Sequence, residues 1–483
     1  MKLRDLLSGC VYEVVQGDVN VDIESLAYDS RKVNKASMFI CITGKSLDGH
    51  RFLDKAIESG AAAILVEKDV VVSDKSVAVI KVHNSREVMS HVANRFYNDP
   101  SKDINMIGIT GTNGKTSISF LVSEILQYVQ RNVGVIGTIG IQVNNKTLDI
   151  EKTTPTTPDS LELQMILDQM KKQEVSDVVM EVTSIAIDLN RVDNCGFNIG
   201  IFTNLTEDHL DYHETMENYK NAKKKLFNMC ETGIVNIDDP VGLEISETAD
   251  ASIITYAIDS KADIQAQNVR FSPTGSSFEL LISDEVHQIE INLPGKFNVY
   301  NALAAISTAL KLGVSIIDVK EALKGIRGAK GRFESVMSSK GFTVVVDYAH
   351  TPDALMNVLK TAREFNPNKI ITVFGCGGDR DKTKRPIMGE ISGELSDFTV
   401  ITSDNPRTEN PEQILKDIEQ GVKRNTEKYT MIADRKEAIK EAISMAGKGD
   451  IVIVAGKGHE TYQVFKDKTI HFDDMEVVHE FLS

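Results

Sequence analysis

An apolar run from Ile104 to Ile109 passes through Gly108-Ile-Thr-Gly-Thr-Asn-Gly-Lys-Thr116 into a segment with Ile118, Leu121, Val122, Ile125 and Leu126 at helical spacing. A strand, a glycine turn and a helix start in that order build an anion cradle. Glycines let the backbone approach a phosphate, and the helix N-terminus directs N–H groups at it. Lys115 adds a point charge, and the Thr116 hydroxyl sits where it can reach a phosphate-bound Mg²⁺. Gly111, Thr112, Asn113, Gly114, Lys115, Thr116 and Ser117 are therefore candidate contacts for a nucleoside triphosphate. The spacing departs from the usual phosphate loop, in which a glycine stands where this chain has Ile109; the nearest glycines are Gly108 and Gly111. An ordinary glycine-rich turn is the alternative, but Gly-Lys-Thr at a strand-to-helix junction is hard to explain without phosphate.

The length of 483 residues suggests about three domains. Hydrophobic content of 41% and charged content of 26% are ordinary for a soluble globular protein. A formal charge of −16 argues against nucleic acid or an anionic membrane as the main partner. Cys10, Cys41, Cys195, Cys230 and Cys376 are scattered, odd in number and without metal-type spacing, which a reduced cytosolic setting explains. Met1 to Cys10 lacks the apolar core of a signal peptide, and no run approaches transmembrane length. A cytoplasmic protein without membrane insertion is expected.

Residues 1–100 mix short strand-like runs (Ser37 to Thr43, Ala61 to Val66, Val77 to Val82) with short helical patterns; Asp29-Ser30-Arg31 reads as a polar loop. From 101 to 331, strand-like runs at Val133 to Ile139, Val178 to Val182 and Gly200 to Thr203 alternate with helical ones at Leu161 to Met170 and Met216 to Phe227. That alternation implies parallel βα units with helices on both faces. Residues 263–293 show period-2 patterning, suggesting a small antiparallel insertion. From 332 to 483, buried-type strands (Thr343 to Val346, Ile370 to Phe374, Phe398 to Thr402, Ile451 to Val454) run into polar clusters. These begin at Asp347, Gly375, Ser403 and Gly456. Polar residues just past the carboxyl ends of parallel strands are where open α/β sheets bind ligands.

Several single residues stand out. Glu181 ends the strand-like run Val178 to Val182; beside a triphosphate loop a strand-end acid suits Mg²⁺, although it could merely cap the next helix. His209, in Thr203-Asn-Leu-Thr-Glu-Asp-His209, is by itself more simply a packing or capping histidine, since Mg²⁺ prefers oxygen. Lys223 shares an apolar helix face with Met216, Tyr219, Ala222, Leu226 and Phe227, whereas Lys220 and Lys224 point elsewhere, toward solvent. A lysine on such a face is costly unless paired, chemically altered or snorkelling. In Gly295-Lys-Phe-Asn-Val-Tyr-Asn301, Asn298 could be a helix cap, or Asn298 and Asn301 could read a purine edge.

Together, Thr110-Gly-Thr-Asn-Gly-Lys-Thr116, Glu181, Thr203 to His209, Tyr219-x-x-Ala-Lys223-x-x-Leu-Phe227, Gly295-x-Phe-Asn-x-x-Asn301 and Asp347-Tyr-Ala-His350 resemble the Mur ligases. These are ATP-dependent amide-bond-forming enzymes of peptidoglycan precursor synthesis. The resemblance spans the chain and implies an α/β fold of three domains. A smaller N-terminal α/β domain (1–100) would hold the UDP end of the acceptor, with Ser30 as a contact. A central P-loop-type ATPase domain with a parallel sheet (101–331) would bind ATP, and a C-terminal Rossmann-like domain (332–483) would bring the amino acid and close over the nucleotide. It also implies that Lys115, Glu181, His209 and Lys223 are catalytic, with Thr116, Glu181, His209 and a carbamylated Lys223 around Mg²⁺. Asn301, Arg332, Asp347 and His350 would contact ATP, and Thr156, Thr157, Ser184 and Arg191 the UDP-muramoyl dipeptide.

Within the family, Ser403-Asp-Asn-Pro-Arg407 with Gly456-Lys-Gly-His-Glu460 resembles the pattern for diaminopimelate as the incoming amino acid. An arginine fork at Arg407 pairs with the distal carboxylate that lysine lacks. Asn405 and Glu460 can address the distal ammonium and Arg380 the other carboxylate, with Asp404, Pro406 and Gly456 completing the site. Two positions depart from the family: Thr183-Ser184-Ile185 replaces Ser-Ser-His, and Leu189 stands where Gln is usual. A lysine-adding ligase, a paralogue with a related glutamyl acceptor, a folylpolyglutamate synthase and a nucleotide-gated scaffold are the competing readings; a monomer is expected.

Overall fold

The strand Asn105–Thr110, five of whose six residues are buried, is the axis of an eleven-stranded sheet. The structure is a computed structural model that describes residues 1–482 except 45, 46, 151, 273, 274 and 327. In the central sheet, Asn105–Thr110 lies between two parallel neighbours, Asp177–Glu181 and Phe197–Phe202. Val133–Gly137 extends the parallel run on one side, and Cys230–Asn236, Ser252–Ala257 and Ile264–Ser272 extend it on the other. Antiparallel strands close both edges: Gly140–Val143 with Lys146–Thr147, and Gly275–Ile282 with Glu285–Ile291.

The helix Lys115–Tyr128 follows the glycine turn, as its spacing predicts, and buries Ile118, Leu121, Val122, Ile125 and Leu126. Each such side chain contributes roughly 1.5–3 kcal/mol on burial. They pack with Val299, Leu303 and Ile306 of the helix Lys296–Lys311. The segment Met216 to Phe227 is an α-helix over Met216–Lys224, finished by a 3₁₀ turn at Lys225–Asn228. Lys220 and Lys224 are half-buried and both pair with Glu244, at 3.1 and 2.7 Å, rather than standing free in solvent.

The period-2 segment 263–293 is antiparallel within itself, but Ile264–Ser272 pairs parallel to Ser252–Ala257. The hairpin therefore continues the central sheet instead of forming a separate insertion. Alternation fixes which face a residue takes and is silent on the partner strand.

Ahead of this sheet, Glu13–Gln16, Ala78–Lys81, Ala61–Val66, Ser37–Ile40 and Ser25–Ala27 form a five-stranded sheet in that order. Beyond it lies a six-stranded sheet in the order Glu334–Met337, Thr343–Asp347, Ile451–Ala455, Ile370–Phe374, Phe398–Ile401, Tyr429–Met431. All but the first of these are parallel, so the polar clusters that follow four of them gather at one sheet edge. Among the described residues no helix is long and apolar enough to cross a membrane.

Candidate active site

Gly111 has φ +148°, and a Cβ there would lie 1.8 Å from Thr203 Oγ1. That threonine donates to Asn113 O at 2.7 Å, and Asn113 N donates to Asn204 Oδ1 at 2.9 Å. The neighbouring strand end thus holds the loop, and only glycine fits at 111. Gly111→Ala is expected to cost about 1–3 kcal/mol by overpacking and to weaken nucleotide binding, measured by calorimetry. Thr112 is buried, bonding to Tyr219 Oη and Thr206 O, each at 3.2 Å. Ser117 stands in the first turn of the helix, whose N-cap is Gly114.

Across the loop, Thr116 Oγ1 donates to both oxygens of Glu181 at 3.0 Å. Thr138 completes the cage, donating from N and Oγ1 to the same carboxylate at 2.8 and 3.0 Å. A buried carboxylate and hydroxyl side by side suit a hard divalent cation. Among the described residues no group of three acidic, His or Cys side chains is placed to hold a metal, so a cation there would take its remaining ligands from water and phosphate oxygens.

Lys115 Nζ folds back onto Gly111 O (2.8 Å) and Thr112 O (2.9 Å), and the fully buried Lys223 Nζ donates to that same Gly111 O at 2.9 Å. Two amines on one carbonyl are electrostatically crowded. Burial, with Lys115 beside it, pulls the Lys223 pKa well below the ordinary lysine value. Lys223 also lies over the Tyr219 ring, 4.4 Å from its centroid. His209, at φ +54°, caps the turn Leu210–His213 and its ring meets the edge of Tyr219. Burial, with Lys115 and Lys223 nearby, lowers its pKa despite Asp208. His209 and Lys223 thus both pack against the Tyr219 ring.

The predicted acceptor residues form one cluster beside Glu181. Thr157 Oγ1 donates to Glu181 O at 2.8 Å, Arg191 Nη1 to Thr157 O at 3.2 Å, and Thr156 Oγ1 meets Thr138 Oγ1 at 3.2 Å. Ser184 Oγ meets His213 Nε2 at 2.9 Å. Ile185 and Leu189, the departures, are half-buried on the same short helix and its cap. Ser30 is buried in a 3₁₀ turn of the first sheet's layer; nearby, Tyr28 Oη reaches across to Glu162 at 2.8 Å and Thr153 at 3.1 Å.

From the last third of the chain, Arg332 Nη2 donates to Thr116 Oγ1 at 3.3 Å, and its guanidinium stacks on Tyr348, 4.7 Å from the ring centroid. The buried Asp347 accepts from Phe333 N and Ala349 N, each at 2.7 Å. His350 Nδ1 bonds its neighbour Tyr348 O at 2.8 Å. Asn298 is not a cap: Gly295 is, and Asn298 donates to Pro294 O and orients Asn301 through a 3.3 Å bond. Asn301 stands against the phosphate loop, where a Cβ on Gly114 would lie 2.6 Å from its Oδ1. Sequence reasoning overlooked Thr138 and Asp353. The latter accepts from Asn113 Nδ2 at 2.7 Å and Thr206 Oγ1 at 3.2 Å.

The amino-acid candidates surround the end of Ile451–Ala455. Asn405 Nδ2 donates to Glu460 Oε2 at 2.8 Å. Arg407, at φ +52°, donates from Nη1 to Gly378 O at 2.8 Å and from N to Val464 O at 3.0 Å. Asp404 and Pro406 are buried between them, and Gly456, at φ +116°, leaves room that a Cβ would take 2.7 Å from Asp404 Oδ2. Arg380 is exposed and donates from Nη1 to Asp379 O at 3.1 Å; its Cγ and Arg407 Nη1 both flank Gly377, 3.8 and 2.9 Å from where a Cβ there would lie.

Comparison with known proteins agrees with this geometry. Residues 22–97 match the Mur ligase family catalytic domain, 109–309 the Mur ligase middle domain, and 331–458 the Mur ligase glutamate ligase domain. UDP-N-acetylmuramoyl-L-alanyl-D-glutamate–2,6-diaminopimelate ligase 1 of Clostridium acetobutylicum is 48% identical, over 100% of this chain and 99% of its own length. The corresponding ligase of Clostridioides difficile is also 48% identical, over the full length of both chains. A solved structure of a UDP-N-acetylmuramoyl-L-alanyl-D-glutamate–2,6-diaminopimelate ligase superposes with TM-score 0.72 at 33% identity, over 100% of this chain and 98% of that one. With the motifs, the sheet order and full-length relatives in agreement, the chain belongs to the Mur ligase family of ATP-dependent amide-bond-forming ligases.

Proposed function

We propose that the protein adds meso-2,6-diaminopimelate to the D-glutamate of UDP-N-acetylmuramoyl-L-alanyl-D-glutamate, at the expense of ATP, in peptidoglycan precursor synthesis. The observation that carries the choice of amino acid is the cluster of Asn405, Arg407 and Glu460 at one sheet edge. A guanidinium for a carboxylate and a carboxylate for an ammonium, on segments joined by the hydrogen bonds of Asn405 with Glu460 and of Arg407 with Val464, match a zwitterionic side-chain end. Lysine would leave Arg407 without its partner, so the lysine-adding alternative is disfavoured. The full-length relatives that carry the diaminopimelate name support the same reading.

On this reading residues 1–100 hold the UDP end, 101–331 bind ATP, and 332–483 present the amino acid, in a cytoplasmic monomer. In the first step a side-chain carboxylate oxygen of the acceptor attacks the γ-phosphorus, and the bond to ADP breaks. Lys115 and the N–H groups of the loop offset charge spreading over the phosphoryl oxygens. In the second, the amine attacks the acyl carbon, the carbon–oxygen bond breaks, and phosphate and a proton leave. Thr116 and Glu181 would hold Mg²⁺, which supplies charge neutralisation at the phosphates when bound. Lys223, a buried amine whose hydrogen bond goes to the Gly111 carbonyl, suits carbamylation, which replaces a cation by an anion; His209 packs against the same Tyr219 ring.

The test is turnover of ATP and the UDP-dipeptide with diaminopimelate or lysine, followed by mass spectrometry of the product. Lysine use without diaminopimelate use would overturn the assignment. Arg407→Ala is expected to lower kcat/KM for diaminopimelate by about 1.5–3 kcal/mol, roughly ten- to a hundred-fold, the worth of a charged hydrogen bond. Its KM for ATP should not move.

A further inference from the structure

Lys457 is fully buried in the turn after Ile451–Ala455, and neither phosphoryl transfer nor nucleotide binding uses it. Its Nζ donates to Glu460 Oε2 at 2.9 Å and to Asn405 Oδ1 at 3.3 Å, and lies 5.5 Å from the Tyr462 ring centroid. Asn405 is clamped from the other side, donating to that same Oε2 at 2.8 Å while its Oδ1 accepts from Val464 N at 2.9 Å. The turn is itself closed by Glu460 N donating to Lys457 O at 3.0 Å. Glu460 Oε2 therefore has two donors, whereas Oε1 has none among the described residues.

A buried ammonium is costly, and an apolar side chain of similar volume would pack there without the charge. The charge has a use, however. A carboxylate that is to receive an incoming ammonium must hold one orientation and keep one oxygen free. A fixed cation behind Oε2 meets both conditions. We propose that Lys457 is a positioning residue for amino-acid selection. It holds Glu460 turned so that Oε1 receives the distal ammonium, while Arg407 takes the adjacent carboxylate. The inference rests on the reading of diaminopimelate as the amino acid.

The test compares Lys457→Met and Lys457→Arg in the full-length enzyme, with kcat and KM measured for each substrate. Lys457→Met is expected to raise KM for diaminopimelate about 10- to 100-fold, the range of a charged hydrogen bond. Its kcat at saturation and KM for ATP should stay near those of the unaltered enzyme, and Lys457→Arg should recover most of the loss. Where the methionine variant folds poorly, Lys457→Gln, which keeps a donor without the charge, serves in its place with the same split expected. An unchanged KM for the amino acid, an equal rise in KM for ATP, or no recovery with arginine would each overturn the proposal. Assaying the unaltered enzyme with diaminopimelate and lysine side by side separates the two readings. If only lysine is used, the donor assignment falls, and Lys457 is judged by the KM for lysine, whose ammonium needs Glu460 equally.

Discussion

Lys115→Ala is expected to lower kcat/KM about a thousand-fold, roughly 4 kcal/mol, the upper range for removing one preorganised charge-stabilising donor. Phosphoryl transfer has little covalent chemistry for side chains to perform, so positioning and charge carry most of the acceleration. The ammonium donates to Gly111 O and Thr112 O, two carbonyls of the loop itself. Burial lowers its pKa, while Glu181 and Asp208 oppose that shift. Because Lys223 also donates to Gly111 O, that carbonyl keeps a partner when Lys115 is removed. The urea midpoint should therefore not fall, which separates lost chemistry from lost folding. Turnover within ten-fold of the unaltered enzyme would remove Lys115 from the mechanism.

Asp474→Ala is expected to destabilise the C-terminal sheet and its helices by about 3–5 kcal/mol, the cost of leaving a buried charge without its partner. Arg435 and Asp474 are both fully buried, and their fork is bidentate: Nε to Oδ1 at 2.7 Å and Nη2 to Oδ2 at 2.6 Å. Nη2 also donates to Ala455 O at 3.0 Å, tying the pair to the strand end that carries Gly456 to Glu460. The pair joins the starts of two helices, Arg435–Met445 and Asp474–Leu482, one on each side of that strand end. Urea unfolding should show the loss in this part of the chain first. The double replacement Arg435→Met with Asp474→Leu should recover much of it, since an apolar pair avoids the desolvation penalty. A shift below about 1 kcal/mol for the single change would mean the pair is more hydrated than its burial indicates.

The parts of the site that were legible in the sequence lie within one strand–turn–helix unit or directly at a strand end. Residues 108–116 announce themselves because glycine, lysine and threonine must follow one another for the backbone to wrap a phosphate. Glu181, Asp347, Asp404 and Glu460 were visible for a related reason, since an acid just past an apolar strand interrupts a pattern. Lys223 was visible as a charge on an apolar helix face, and its full burial bears out that reading. Thr138 and Asp353 were not visible. Thr138 meets an acid 43 residues away, and Asp353 meets an asparagine 240 residues away, so neither partner is implied by local pattern. Lys457 lay inside a noticed motif, but only the packed structure shows it buried against Asn405 and Glu460. The strands Cys230–Asn236 and Ser252–Ala257 were overlooked because polar residues dilute their apolar signal.

Asp353 lies in the helix Pro352–Glu364 of the last third, yet it accepts from Asn113 in the phosphate loop, close to where Arg332 meets Thr116. If these bonds form and break as the helix Pro352–Glu364 meets or leaves the loop, that junction and nucleotide occupancy share a single thermodynamic cycle. If a nucleotide tightens the junction by some factor, a tightened junction must raise nucleotide affinity by that same factor. A substitution at Asp353, which need never touch the reacting atoms, would thus be read out as an altered hold on ATP.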